Sequence, residues 1–461
     1  MRITFFLTIC FCSQIMRAQP IAQRLEKKFN LFEKDNQLRH AISSLYVIDA
    51  KTGAVVFERN AQVGLAPAST QKIITATTAF DLLGADFRYK TSLAYSGDIL
   101  ERKLYGDLYL LGSGDPTLGS QRWNSTRADQ LLQDWTKAVH RVGIRSITGK
   151  VTTNTSRFAF QAIPDGWIWQ DIGNYYGAGS YALNWKENQF DLQLRSGSKP
   201  GEDVELRQPN AANLINGLKA APAGTGDNAY MYYDGSLSGT IPVNEKSFSI
   251  SVSDKDPVKT VLQDLAQALK NDSVGLAMDK GATVRENYPG DTSSWKKLHA
   301  FYTSYSPTLD SMVYWFLRKS INLYGEALIK TLALAKQGYA RTDSGVAIIQ
   351  QFWKERGVDA EELNISDGSG LSPQNRVTTH AQVEVLKYAR SRNWFPAFYE
   401  ALPVYNGMKM KSGTIRDVKA FCGYQASKDG HLYIFSFIVN NFSGPTSSVV
   451  TKMYAVLDEL K

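Results

Sequence analysis

Five strand-like stretches, two near the start of the chain and three near its end, constrain its fold more than any other feature. Ser43–Asp49 and Ala54–Arg59 are joined by Ala50-Lys51-Thr52-Gly53, which has the composition of a turn. Met408–Ile415, Lys419–Ala426 and His431–Asn440 follow one another at the far end. Helical patterns bracket the set, Ala22–Leu38 before the first pair and Ser447–Leu460 after the last strand. Two early and three late strands with helices at both termini close one five-stranded antiparallel sheet. The expected fold class is α+β, interrupted by what lies between.

From about Asp86 to Trp295 the texture changes. Short alternating segments (Thr91–Tyr95, Leu108–Leu111, Phe190–Leu194, Phe248–Val252) are broken by Gly-, Pro- and Asn-rich stretches. Two helical patterns interrupt them, Ala128–Val142 and Pro257–Lys270. This reads as a large β-rich insertion of one or two modules, and 461 residues are too many for one compact core. The expected division is a catalytic domain over 19–85 and 296–461, an inserted domain over 86–184 and 241–295, and a third over 185–240. Further helices are expected at Thr308–Lys319, Tyr324–Lys336, Asp343–Arg356 and Thr379–Arg390.

Residues 1–18 read as a secretory signal: Arg2, an apolar run from Ile3 to Cys12, and Ala18 before Gln19-Pro20. The run is too short to span a bilayer, so export to a periplasm or outer surface is expected. Cys10 and Cys12 fall inside it, which leaves Cys422 without a disulfide partner. Cys422 sits in the alternating stretch Val418–Tyr424, where a packed core position is expected. The net charge of +8 suits an anionic wall surface without selecting one, and no basic cluster points to nucleic acid. The five histidines form no spaced ligand set, and no metal or other cofactor is implied.

The chemistry concentrates first at Pro67-Ala68-Ser69-Thr70-Gln71-Lys72. Pro67 and Ser69 mark a helix entry, and Ile73, Ala76, Phe80 and Leu83 give that helix an apolar stripe. One turn separates Ser69 from Lys72, so a desolvated amine can take the serine proton. The same S-x-x-K spacing at Ser196–Lys199, Ser293–Lys296 and Ser294–Lys297 lies among loop-forming residues. Between two of the later helices comes Lys319-Ser320-Ile321-Asn322. Ser320 there can relay a proton to a leaving amine, and Asn322 can hold Lys72 and a substrate amide. A helix cap is the plain alternative for Ser320. The S-x-N at Ser391–Asn393 reads as a surface turn.

Lys411-Ser412-Gly413-Thr414 lies on the first late strand. Lys411 supplies positive charge, the hydroxyls of Ser412 and Thr414 can grip a terminal carboxylate, and Gly413 lets a substrate backbone lie close. A solvated edge strand is the plain alternative. The earlier Lys51-Thr52-Gly53 precedes the serine and sits at a hairpin tip, so it is expected to be inert.

S-x-x-K, S-x-N and K-S-G in this order resemble the penicillin-binding proteins and serine β-lactamases. The long gap from Ser69 to Ser320 leaves room for an insertion that compact β-lactamases lack. Gly114–Leu118, Gly166–Asp171, Tyr175–Ala178 and Ser366–Ser372 are similar to signatures of one group. That group is the class C low-molecular-mass penicillin-binding proteins, the D-alanyl-D-alanine carboxypeptidase/endopeptidase family. Ile321 departs from an aspartate common there, and Ser412 from threonine.

The resemblance implies a transpeptidase-like domain in which Ser69 attacks the bond between two D-alanines of a peptidoglycan stem peptide. Lys72 would act as base, an acyl-enzyme would form, and backbone N–H groups of Ser69 and Thr414 would hold the oxyanion. It implies β-lactams as covalent inhibitors. It also implies that an acidic residue of the insertion, here Asp171, pairs with a free amine at the third position of the stem. Two rival readings are a serine β-lactamase and a non-catalytic wall-binding protein. Against the first, the place of a deacylating glutamate is taken by Ala360; against the second, the residue set is intact.

Overall fold

The computed structural model describes residues 20–207, 214–277, 282–285 and 298–461. The expected signal segment and the copies at Ser293–Lys296 and Ser294–Lys297 lie outside the described residues.

All five expected strands pair in one antiparallel sheet. Val55–Arg59 lies at one edge, followed by Ile42–Asp49, Leu432–Asn440, Val418–Ala426 and Met408–Ile415. A two-residue strand, Val404–Tyr405, adds a sixth member that the sequence reading lacked. It pairs with Met408 and Lys409, and among the described residues the stretch from Lys411 to Ile415 has no strand on that side.

Both faces of the sheet are covered, which explains its nearly continuous apolar strands. Leu45, Val47, Phe435 and Phe437 face a core made with the helices Ile21–Glu33 and Thr446–Leu457. Tyr46, Ile48, Cys422 and Ile434 face the opposite core, which holds the Lys72–Leu83, Leu309–Arg318, Asn322–Gln337 and Thr379–Arg390 helices. Cys422 is fully buried, as its strand position predicted. The Lys72–Leu83 helix is buried all round from Lys72 to Phe80, so its apolar stripe is only part of its buried surface. Burying a side chain such as Phe316 in this layer contributes about 2 kcal/mol.

The intervening residues build their own sheets and cores. Ala128–Arg141 and Pro257–Asn271 pack with Trp135, Trp185 and Leu262 beside a sheet of Ala282–Arg285, Val151–Asn154, Leu108–Leu111, Lys90–Tyr95 and His299–Tyr305. His299–Tyr305 pairs with Lys90–Tyr95, so this stretch, which the sequence reading joined to the catalytic part, completes a sheet of the insertion. A separate cluster of Leu192, Leu194, Met231, Ile241 and Val252 forms around two smaller sheets. Ser196 is buried there, donates to the Pro242 carbonyl and accepts from the Glu245 amide.

Candidate active site

Ser69 belongs to a short 3-10 turn, Ala68–Gln71, that runs directly into the Lys72–Leu83 helix. Ala68 has φ of +47°, a conformation costly for a residue with a side chain, and it swings the serine to the mouth of the turn. Two glycines press against that turn. A Cβ on Gly370 would meet the Ala68 carbonyl at 2.0 Å, and one on Gly413 would meet Pro67 O at 2.6 Å and Ser69 N at 2.9 Å. Gly413 was expected to admit a substrate backbone; its missing side chain admits the turn that carries Ser69.

Lys72 is fully buried, and its Nζ has three neighbours: Ser69 Oγ at 2.9 Å, Asn322 Oδ1 at 2.6 Å and the Ser369 carbonyl at 2.7 Å. Burial pushes its ammonium well below the usual lysine range, and the Lys411 charge pushes the same way. Asp367 and Glu326 oppose the shift. The orientation of the Asn322 amide is fixed, because its Nδ2 donates to the Tyr176 carbonyl at 2.7 Å. Ser320 joins the Leu309–Arg318 and Asn322–Gln337 helices in a left-handed conformation, φ +58°, which is more than a simple cap requires.

Lys411 is buried rather than solvated, against the edge-strand alternative. Its Nζ donates to Ser320 Oγ at 3.0 Å and to the Ser412 carbonyl at 2.7 Å. Burial lowers its pKa to about 7. S-x-x-K, S-x-N and K-S-G are thus one connected network. The two decoys lie elsewhere: Lys51 and Thr52 are exposed at a turn organised by Asp49, and Ser391 and Asn393 are exposed after a helix.

A cleft of about 970 Å³ opens over this network, walled by Ser69, Ser320, Asn322 and Thr414 on one side and Asp171, Tyr176 and Tyr230 on the other. Asp171 is half-buried on a single helical turn, Trp169–Ile172. Burial raises its pKa to about 6, against a hydrogen bond with Tyr176. The aromatic residues near Asp171 in the chain divide between two places. Tyr175 and Tyr176 line the cleft, but Trp169 stacks on Tyr232 and the Trp167 Nε1 donates to Asp367 at 2.9 Å.

Two buried carboxylates escaped the sequence reading. Asp367 accepts from Gln71, Trp167, the Gly370 and Ser372 amides and Asn375, and so shapes the loop whose Ser369 carbonyl meets Lys72. Glu326, one turn beyond Asn322, receives the Gly368 amide, and burial together with Asp367 raises its pKa to about 8. The place of Asp367 within Ser366–Ser372 was the one available signal. Lys419 was missed as well; its Nζ lies 2.7 Å from Ser412 Oγ and 2.8 Å from Thr414 Oγ1.

Comparison with known proteins finds relatives that span most of the chain. The D-alanyl-D-alanine carboxypeptidase of an Actinomadura species is 27% identical over 94% of this chain and 84% of its own length. D-alanyl-D-alanine carboxypeptidase DacB of Haemophilus influenzae is 22% identical over 84% of this chain and 83% of its own. In fold, the crystal structure of penicillin binding protein 4 from Haemophilus influenzae matches with a TM-score of 0.78 at 19% identity, covering 95% of this chain and 98% of that one. A family model for D-Ala-D-Ala carboxypeptidase 3 (S13) matches residues 25–459. The chain belongs to the D-Ala-D-Ala carboxypeptidase 3 (S13) family.

Proposed function

We propose that Ser69 is the nucleophile of this serine-type carboxypeptidase and that it is acylated by the penultimate D-alanine of a peptidoglycan stem peptide. The observation that carries the reading is the set of partners around Lys72. A neutral amine has two N–H groups and one lone pair. Asn322 Oδ1 and the Ser369 carbonyl can only accept, so they take both N–H groups. The lone pair is then left for the Ser69 hydroxyl, and burial favours this neutral form.

In the reading that follows, Lys72 takes the Ser69 proton as Oγ attacks the carbonyl. The backbone N–H groups of Ser69 and Thr414 hold the developing oxyanion. Ser320, bonded to Lys411, relays the proton to the departing D-alanine amine. Lys411, Ser412 and Thr414 receive the terminal carboxylate, and the second Nδ2 hydrogen of Asn322 is available to the substrate amide. Water then hydrolyses the ester and restores Ser69. Asp171 pairs with an ammonium at the third position of the stem, and the same site admits either a free terminal D-alanine or a cross-link. β-Lactams acylate Ser69 in the same way. Against a β-lactamase, Ala360 stands at the place of a deacylating glutamate and carries no carboxylate.

The domain division proposed is that expected from the sequence, with His299–Tyr305 moved to the insertion and the third domain extended through Phe248–Ser253, which pairs with Gln189–Arg195. Export is proposed from the composition of residues 1–18; among the described residues no helix is long and apolar enough to cross a membrane. The test is to treat the protein with a labelled penicillin and map the modified peptide. Label on Ser69, lost in Ser69→Ala, is expected. Label on another serine would overturn the assignment, and defined muropeptides read by mass spectrometry would separate the two cleavages.

A further inference from the structure

The Ser412 and Thr414 hydroxyls share a partner that the family reading does not require. Lys419 stands on the neighbouring strand in register with Thr414, and its ammonium reaches both oxygens. An ammonium only donates, so each hydroxyl must accept from it. Neither hydroxyl makes another side-chain hydrogen bond among the described residues. Their own O–H protons are therefore turned away from Lys419, and Thr414 lines the cleft. Lys419 is itself 7% exposed, lies 4.7 Å from the centre of the Phe421 ring, and meets no carboxylate within ion-pair distance among the described residues.

We propose that Lys419 is a positioning residue that converts Ser412 and Thr414 into a pair of outward donors and makes this end of the cleft selective for a free carboxylate. The inference rests on the proposed acylation of Ser69 and adds to it the origin of that selectivity. A hydroxyl left to itself rotates and offers a lone pair as readily as a proton. One held by a buried cation turns its proton outward and has only one lone pair left, so it favours a carboxylate, which accepts at both oxygens, over an amide, which must also place an N–H. The uncompensated charge behind the hydroxyls acts in the same direction through a poorly screened interior. Burial lowers the Lys419 pKa to about 8, so the ammonium is the main form at neutral pH.

The experiment compares an acylated D-alanyl-D-alanine with its C-terminal methyl amide on the full-length protein, with active sites counted by labelled penicillin. The wild-type protein is expected to prefer the acid. Lys419→Met and Lys419→Gln are each expected to lose about tenfold or more in kcat/KM for the acid, mainly through KM, the size of one charge-assisted hydrogen bond. The amide should change little, so the ratio collapses, and Lys419→Arg should restore it. Because the ratio is taken within one preparation per active site, partial unfolding cancels. Equal loss on acid and amide, or an unchanged ratio in both neutral variants, would overturn the role of Lys419. Failure of penicillin to label Ser69 in the wild-type protein would instead overturn the acylation reading.

Discussion

The carboxamide of Asn322 is clamped by the backbone carbonyl of Tyr176, a residue of the insertion, at 2.7 Å. The insertion thereby sets which end of that amide faces Lys72. Asn322→Ala should slow penicillin acylation by roughly 100-fold, the lower end of what a positioned proton-transfer group contributes. Asn322→Asp should be worse at neutral pH, because a carboxylate repels the Tyr176 carbonyl and stabilises the Lys72 ammonium. The decisive measurement is the pH dependence of acylation: the alkaline rise should move upward in Asn322→Asp and stay in place in Asn322→Ala.

Lys411 links the proposed activity to stability. Burial depresses its folded-state pKa to about 7, so between pH 7 and the ordinary lysine range the unfolded chain binds more protons than the folded one. Stability contributed through this group therefore rises with pH across that window. The penalty for burying the ammonium is fully present below it. Lys411→Met should flatten the rise and stabilise the fold at pH 6.5, measured by urea denaturation at pH 6.5 and 9.5, while crippling acylation. Lys51→Ala, at the exposed hairpin tip, should change neither.

Asp171 is expected to select substrates by charge. Burial raises its pKa to about 6, so it becomes neutral below that pH. For peptides carrying a free amine at the third position, kcat/KM should fall as pH drops through about 6. Asp171→Asn should remove that dependence together with the preference. A truncated acyl-D-alanyl-D-alanine should be hydrolysed almost equally by both proteins. Equal loss on both substrates would assign Asp171 to the fold.

Gly413→Ala places a methyl group 2.6 Å from Pro67 O and 2.9 Å from Ser69 N, both backbone atoms that cannot swing aside. The strand must shift from the turn that carries Ser69, costing about 1–3 kcal/mol as overpacking does. Melting temperature and penicillin labelling should fall together. Retained labelling at wild-type rate would show that the strand can move without disturbing Ser69.

The central sheet was legible because Leu45, Val47, Phe435 and Phe437 are buried in strands whose other face is buried too. That leaves long apolar runs with plain ends. The three motifs were legible because hydroxyls and amines at fixed short spacings, as in Ser69 and Lys72, stand out in the chain itself and meet in the fold. Asp367 and Glu326 were not, since a buried carboxylate satisfied by amides from a distant loop has no local signature. Lys419 was equally hidden: its neighbours in the chain suggest only an alternating strand, and its meaning comes from the register with Thr414. The parallel pairing of Leu108–Leu111 with Val151–Asn154 depends on contacts across the intervening Ala128–Arg141 helix region, which periodicity does not encode.

Cys422 occupies the sheet position paired with Lys411, sealed from solvent, and is the sole thiol from residue 20 onward. Burial also pushes that thiol far above its ordinary range, so in the closed protein it is inert towards thiol reagents. Its labelling becomes a clock for opening of the strand that carries Lys411. Any ligand that pins this strand shut slows the clock, whether or not it is ever hydrolysed, so a silent occupant of the cleft can be timed through a sulfur atom it never touches.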